Sequence, residues 1–119
     1  MNKRLLGTKY EKKALDILKK HGYEELTRNY TSKIGEIDLI VKNEDTILFV
    51  EVKFRSGVNF GYGYEAVNKK KQKKIYLNAL KFLQEYKQND YKMRFDIISF
   101  HKEEYNWIKN CFWGDELGF

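Results

Sequence analysis

Gly35-Glu36-Ile37-Asp38-Leu39-Ile40, followed by Val50-Glu51-Val52-Lys53, alternates charged and aliphatic residues with the two-residue period of a β-strand. Glu36 and Asp38 are expected on one face and Ile37, Leu39 and Val41 on the other; Glu51 and Lys53 likewise oppose Val50, Val52 and Phe54. The polar run Lys42-Asn43-Glu44-Asp45 between them favours an antiparallel hairpin. A two-residue turn at Glu44-Asp45 sets Asp38 opposite Glu51 and Glu36 opposite Lys53. Opposed residues share a face with Cβ atoms about 5 Å apart, so two carboxylates there repel unless positive charge intervenes. Lys53 supplies part of that charge, and a hard divalent ion such as Mg²⁺, which takes a few carboxylates plus water, would supply more. The competing reading is a solvated strand face with a surface salt bridge.

Outward from the hairpin, the period changes to that of helices. Residues from about Arg4 to His21 place Ala14, Leu15 and Leu18 on one stripe, with Gly22 as the stop. Glu11 lies three, four and seven residues before that stripe, so an acid points to the core side. It would complete a divalent-ion site with Asp38 and Glu51, or simply favour the start of the helix through its dipole. Tyr23 to Tyr30 reads as a strand, Lys33 to Val41 and Thr46 to Arg55 as the hairpin strands. Ser56 to Tyr64 interleaves three glycines with Phe60, Tyr62 and Tyr64 as a loop, whose aromatics would cover a core edge or stack on bases. From about Ala66 to Tyr86 a second helix buries Ile75, Ala79, Phe82, Leu83 and Tyr86; Met93 to His101 is a further strand and Tyr105 to Trp113 a short last one. The order α-β-β-β-α-β, with that added strand, describes an α/β fold, a mixed central sheet flanked by helices.

Gln72 heads the apolar line of the second helix, as a solvated first turn or as a polar group aimed inward. Around it Lys69, Lys70, Lys71, Lys73 and Lys74 form a basic run that suits either a solvated helix end or phosphate contacts. The chain has 119 residues and a net charge of +6, sufficient for one domain, 1–119, and favouring polyanionic partners, nucleic acid first. No apolar run approaches a membrane span, the basic start lacks the apolar section of an export signal, and the single Cys111 forms no internal disulfide. A cytoplasmic protein without a membrane partner is expected. His21 and His101 fall at element ends and are assigned no role, and no Ser-His-Asp set, P-loop or dinucleotide fingerprint occurs.

Asp38 followed by Glu51-Val52-Lys53 and preceded by a helical Glu11 resembles the active-site pattern of the PD-(D/E)xK nuclease superfamily. More narrowly, the chain resembles the uncharacterised YraN-like bacterial family, itself likened to archaeal Holliday junction resolvases. Gly7, Glu11, Gly22-Tyr23, Asn29-Tyr30, the Gly35 to Ile40 block, Phe49 to Lys53 with Arg55, Gly61, Lys71-Gln72, Ala79 and Arg94-Phe95-Asp96 carry the likeness. Ile37 stands where the superfamily has proline, which costs no ligand.

The resemblance implies a restriction-endonuclease-like core and a metal-dependent nuclease acting on DNA, including branched or damaged DNA. Carried onto these positions, it assigns Glu11, Asp38, Glu51 and the Val52 carbonyl to one or two Mg²⁺ or Mn²⁺ ions. It assigns Lys53 to the attacking water or the charged phosphorane, Gln72 to the nucleophile or a phosphate, and Glu36 to support of the ligands or of Lys53. Arg55 and the lysine run would contact nucleic acid, and a twofold homodimer would suit two matched cuts. The alternatives are a non-catalytic nucleic-acid-binding module of the same fold, or a protein-interaction subunit with a structural acidic hairpin.

Overall fold

The computed structural model describes residues 3–54, 68–86 and 91–111. Helix α1 (Lys3–Lys20) is followed by strands β1 (Glu24–Thr31), β2 (Glu36–Lys42) and β3 (Thr46–Phe54), helix α2 (Lys69–Tyr86), and strands β4 (Lys92–His101) and β5 (Glu104–Ile108). Among the described residues the fold is α/β, a five-stranded mixed sheet with two helices, consistent with a restriction-endonuclease-like core. Arg55, the Ser56 to Tyr64 loop, Phe112, Trp113 and Phe119 lie outside the described residues.

The helix ends follow from local chemistry. Tyr23 N–H donates to the Leu18 carbonyl and Gly22 N–H to Lys19, with Gly22 at φ 91°. This is a Schellman stop, which needs the left-handed conformation that glycine adopts without steric cost. Helix α2 starts at Lys69 because Asn68 caps it, its Oδ1 accepting from Lys71 N–H at 2.9 Å.

The strand order is β1-β2-β3-β4-β5. The first three strands form an antiparallel meander, β4 joins β3 in parallel, and β5 returns antiparallel on the edge. A parallel neighbour needs a crossover connection, and α2 lies within it. The β2–β3 register pairs Leu39 with Val50 and Lys42 with Ile47; Asn43 N–H donates to the Thr46 carbonyl, closing the two-residue turn. Extended by one pair, this register sets Asp38 opposite Glu51.

Two cores lie on the two faces of the sheet. Tyr10, Ala14, Leu15 and Leu18 of α1 pack on Leu39, Val41, Leu48, Val50, Ile98 and Phe100. Ile75, Ala79 and Phe82 of α2 pack on Ile37, Ile40, Ile47, Phe49, Phe95 and Ile97. Ile37 therefore departs from the expected alternation, siding with Ile40 under α2 rather than with Leu39 and Val41 under α1. The face assignment slips at Asp38, where the observed β2–β3 ladder has already ended at Leu39–Val50.

Candidate metal centre

The end of that ladder shapes the site. Antiparallel pairs alternate between hydrogen-bonded and open, so with Asn43–Thr46 bonded, Ile37–Val52 would be the next bonded pair after Leu39–Val50. Val52 N–H instead donates to Asp38 Oδ2 at 2.8 Å. A side chain has taken the place of a backbone carbonyl, and the two strands fork around it.

Into this fork α1 delivers Glu11 from the turn before its apolar stripe. One carboxylate oxygen from each of Glu11, Glu36 and Asp38 lies within 4.8 Å of the others, close enough to hold one cation. Burial raises the Glu11 pKa above its ordinary value, and repulsion from Asp38 and Glu36 adds to the rise; a hydrogen bond from Asn29 and the charge of Arg28 oppose it. Asn29 sits in β1 across from Asp38, between the Arg28–Leu39 and Tyr30–Ile37 pairs, at φ 54°, a left-handed conformation that asparagine tolerates better than most residues. Burial also raises Asp38, against the lowering effect of the Val52 N–H and of Lys53.

Glu51 lies outside the three-oxygen group, on the α2 side of β3. It is 4% exposed, and its Oε1 has no hydrogen-bond partner among the described residues. Its Oε2 lies 3.6 Å from Lys71 Nζ. Burial, then repulsion from Asp38, pushes its pKa up to about 7. Lys53, two residues along the same face, is brought down to about 8 by burial and by the neighbouring Lys71.

Lys69, Lys70 and Lys71 occupy the first turn of α2, which contains no acidic residue. Cations at a helix N-terminus oppose the macrodipole, each costing typically about 0.3–1 kcal/mol. Lys71 recovers part of this through Glu51; Lys69, Lys70, Lys73 and Lys74 are exposed. Gln72 is half-buried in the next turn. Lys70, Lys71 and Lys74 line a cavity of about 420 Å³ that Glu36 and Asn68 also border. A second cavity of about 430 Å³ reaches Glu11 and Asp38 from the α1 side.

The structure thus brings together Glu11, Glu36 and Asp38, sets Glu51, Lys53 and Lys71 on the neighbouring strand and helix, and leaves Arg55 outside the described residues. Asn29, Lys71 as a partner of Glu51, and buried Asn78 are site-shaping residues that spacing did not single out. The available signals were an asparagine inside a strand, disfavoured there, and one among the apolar residues of a helix.

Two comparisons bear on this arrangement. The model of the "Uncharacterised protein family UPF0102" matches residues 10–100. A UPF0102 protein of Fusobacterium nucleatum is 50% identical over 119 residues, all of both chains. Another, of Caldicellulosiruptor saccharolyticus, is 43% identical over 118 residues, covering 94% of this chain and 100% of the relative. A third, of Aliivibrio fischeri, is 42% identical over 114 residues, covering 92% of this chain and 93% of the relative.

Proposed function

The chain belongs to the uncharacterised protein family UPF0102, and on that premise we propose that it is a metal-dependent nuclease hydrolysing phosphodiester bonds in DNA. The observation that carries this reading is the convergence of Glu11, Glu36 and Asp38 oxygens within 4.8 Å, with Lys53 on the adjoining strand. Three mutually repelling carboxylates and a buried carboxylate oxygen without a partner among the described residues fit a hard cation bound through oxygen.

Glu11, Glu36 and Asp38 would hold Mg²⁺ or Mn²⁺, with Glu51 and the Val52 carbonyl next to them on β3. When bound, such an ion lowers the pKa of a coordinated water and offsets charge developing on phosphate. Val52 N–H holds the Asp38 carboxylate in place. Lys53, kept partly desolvated beside Lys71, presents a compact ammonium to an anionic phosphorus centre. The half-buried Gln72 would orient the attacking water, and the exposed lysines of α2 would bind flanking phosphates. A second copy of the chain, paired with the first, would allow two matched cuts.

A second reading, a nucleic-acid-binding module without catalysis, is favoured by the Glu51–Lys71 pair, which neutralises one carboxylate without a metal. Cleavage of labelled single-stranded, duplex, flapped and four-way-junction DNA and of RNA, with Mg²⁺ or Mn²⁺, separates the two. Wild type should cut, while Asp38→Asn and Glu51→Gln lose cutting by at least about a hundredfold and bind DNA equally well or better, because negative charge near phosphate is removed. Salt-sensitive binding without cutting by the wild type would select the binding module, and weak, salt-insensitive binding a protein-interaction role.

A further inference from the structure

We infer that the acidic group adjoins a subsite for one unpaired nucleotide, so that the chain acts where the base next to the reacting phosphate is free of a duplex; this inference rests on the nuclease reading. The cavity of about 430 Å³ that reaches Glu11 and Asp38 is otherwise walled by Leu6, Gly7, Tyr10, Val52 and Phe54. Its size is that of pockets which take small organic ligands, and among the described residues aromatic and aliphatic side chains join the two carboxylates in its lining. Tyr10 stacks on Phe54 with ring centroids 4.5 Å apart. The ammonium groups of Lys9 and Lys13 lie 5.7 and 5.2 Å from the centre of the Tyr10 ring.

Gly7 is the second observation. It stands inside α1, where glycine is among the poorest choices. No close packing demands it, since a Cβ at that position would meet nothing within 4 Å. Gly7 is one of the residues that line the cavity, and as glycine it adds no side chain there.

Through Glu36 the same acidic group also borders the cavity lined by Lys70, Lys71 and Lys74. The carboxylates are therefore flanked by a cavity with aromatic and aliphatic side chains in its lining on one side and by one that three lysines line on the other. A nucleotide strand has the matching polarity, an apolar base joined to anionic phosphates. In a duplex the bases are paired and stacked inside, so a base reaches such a side cavity only when unpaired or extruded.

The test is binding, with Ca²⁺ in place of Mg²⁺ to prevent turnover. Fluorescence anisotropy would compare a labelled single strand with its blunt duplex, for wild type, Gly7→Ala and Gly7→Leu, each checked for folding by thermal denaturation. Wild type should prefer the single strand by about fivefold or more, the lower end of what one stacked base contributes. Gly7→Leu, which adds a bulky side chain to the cavity's lining, should bring the ratio close to one, with Gly7→Ala between. An unchanged ratio in Gly7→Leu, or no preference in the wild type, overturns the subsite. If the preference is present and responds to Gly7→Leu but nothing is ever cut, the subsite stands and the nuclease reading falls. Cutting of blunt duplex without any preference does the reverse, removing the subsite and keeping the nuclease.

Discussion

Asp38 exchanges a backbone pairing for a side-chain one, and that single exchange opens the sheet where the carboxylates gather. The cost appears in the neighbouring acids, of which Glu51 is the most deeply buried. Its pKa is raised from 4.5 in the unfolded chain to about 7 in the fold, so between those values the native state binds more protons than the unfolded state. Stability of the metal-free protein from this group is therefore greatest below about pH 4.5 and is lost as pH rises through about 7. Glu51→Gln removes that titration while keeping the shape. At pH 4 the variant should unfold at nearly the wild-type temperature; at pH 8 it should be more stable, by on the order of 3 kcal/mol. Parallel thermal melts across that range check this, and equal slopes for both proteins would refute it.

Among the elements, α2 does more than close the core. Its Asn78 is fully buried; Nδ2 donates to the Gly35 carbonyl at 2.9 Å, and Oδ1 accepts from Ser32 Oγ at 2.8 Å. The helix thereby clamps the β1–β2 connection one residue before Glu36. Asn78→Ala removes both hydrogen bonds, leaving the Gly35 carbonyl to Ser32 N–H alone, and should cost about 1–3 kcal/mol in urea unfolding. It should also lower any metal-dependent cleavage by more than the loss of folded protein explains. The periodicity of both helices and of β2, β3 and β4 was legible in the sequence, because one face of each is apolar. The slip at Asp38 was not, since alternation alone cannot show where a side chain replaces a ladder bond. Asn78 was hidden for a related reason: its partners are polar atoms 46 and 43 residues away in sequence, and periodicity records only the apolar face.

Across the whole molecule, the separation of charge was half legible. The lysine run stood out as a run, but only the fold shows that it borders the acids. Opposed registers across the hairpin pointed to Asp38 and Glu51, and helix spacing pointed to Glu11. That Glu36 rather than Glu51 joins the three-oxygen group depends on the fork. If the basic flank meets phosphates, Lys70→Ala with Lys74→Ala should weaken DNA binding similarly for all sequences and reduce the slope of log affinity against log salt by about 0.9 per lysine on duplex. A salt titration of both proteins measures this, and identical slopes would remove those lysines from the interface.

The parallel pairing of β3 with β4 has its own consequence during synthesis. Glu11, Glu36 and Asp38 all precede residue 54, and the helix α1 and the meander that hold them are local in the chain. β4 pairs with β3 at a distance of 46 residues, as in Thr46 with Lys92. A chain emerging from the ribosome can therefore assemble its acidic group while Ile47, Leu48, Phe49 and Val50 still form a bare, apolar strand edge, the kind that templates aggregation. In the interval between translating β3 and translating β4 that edge has no β4 to pair with.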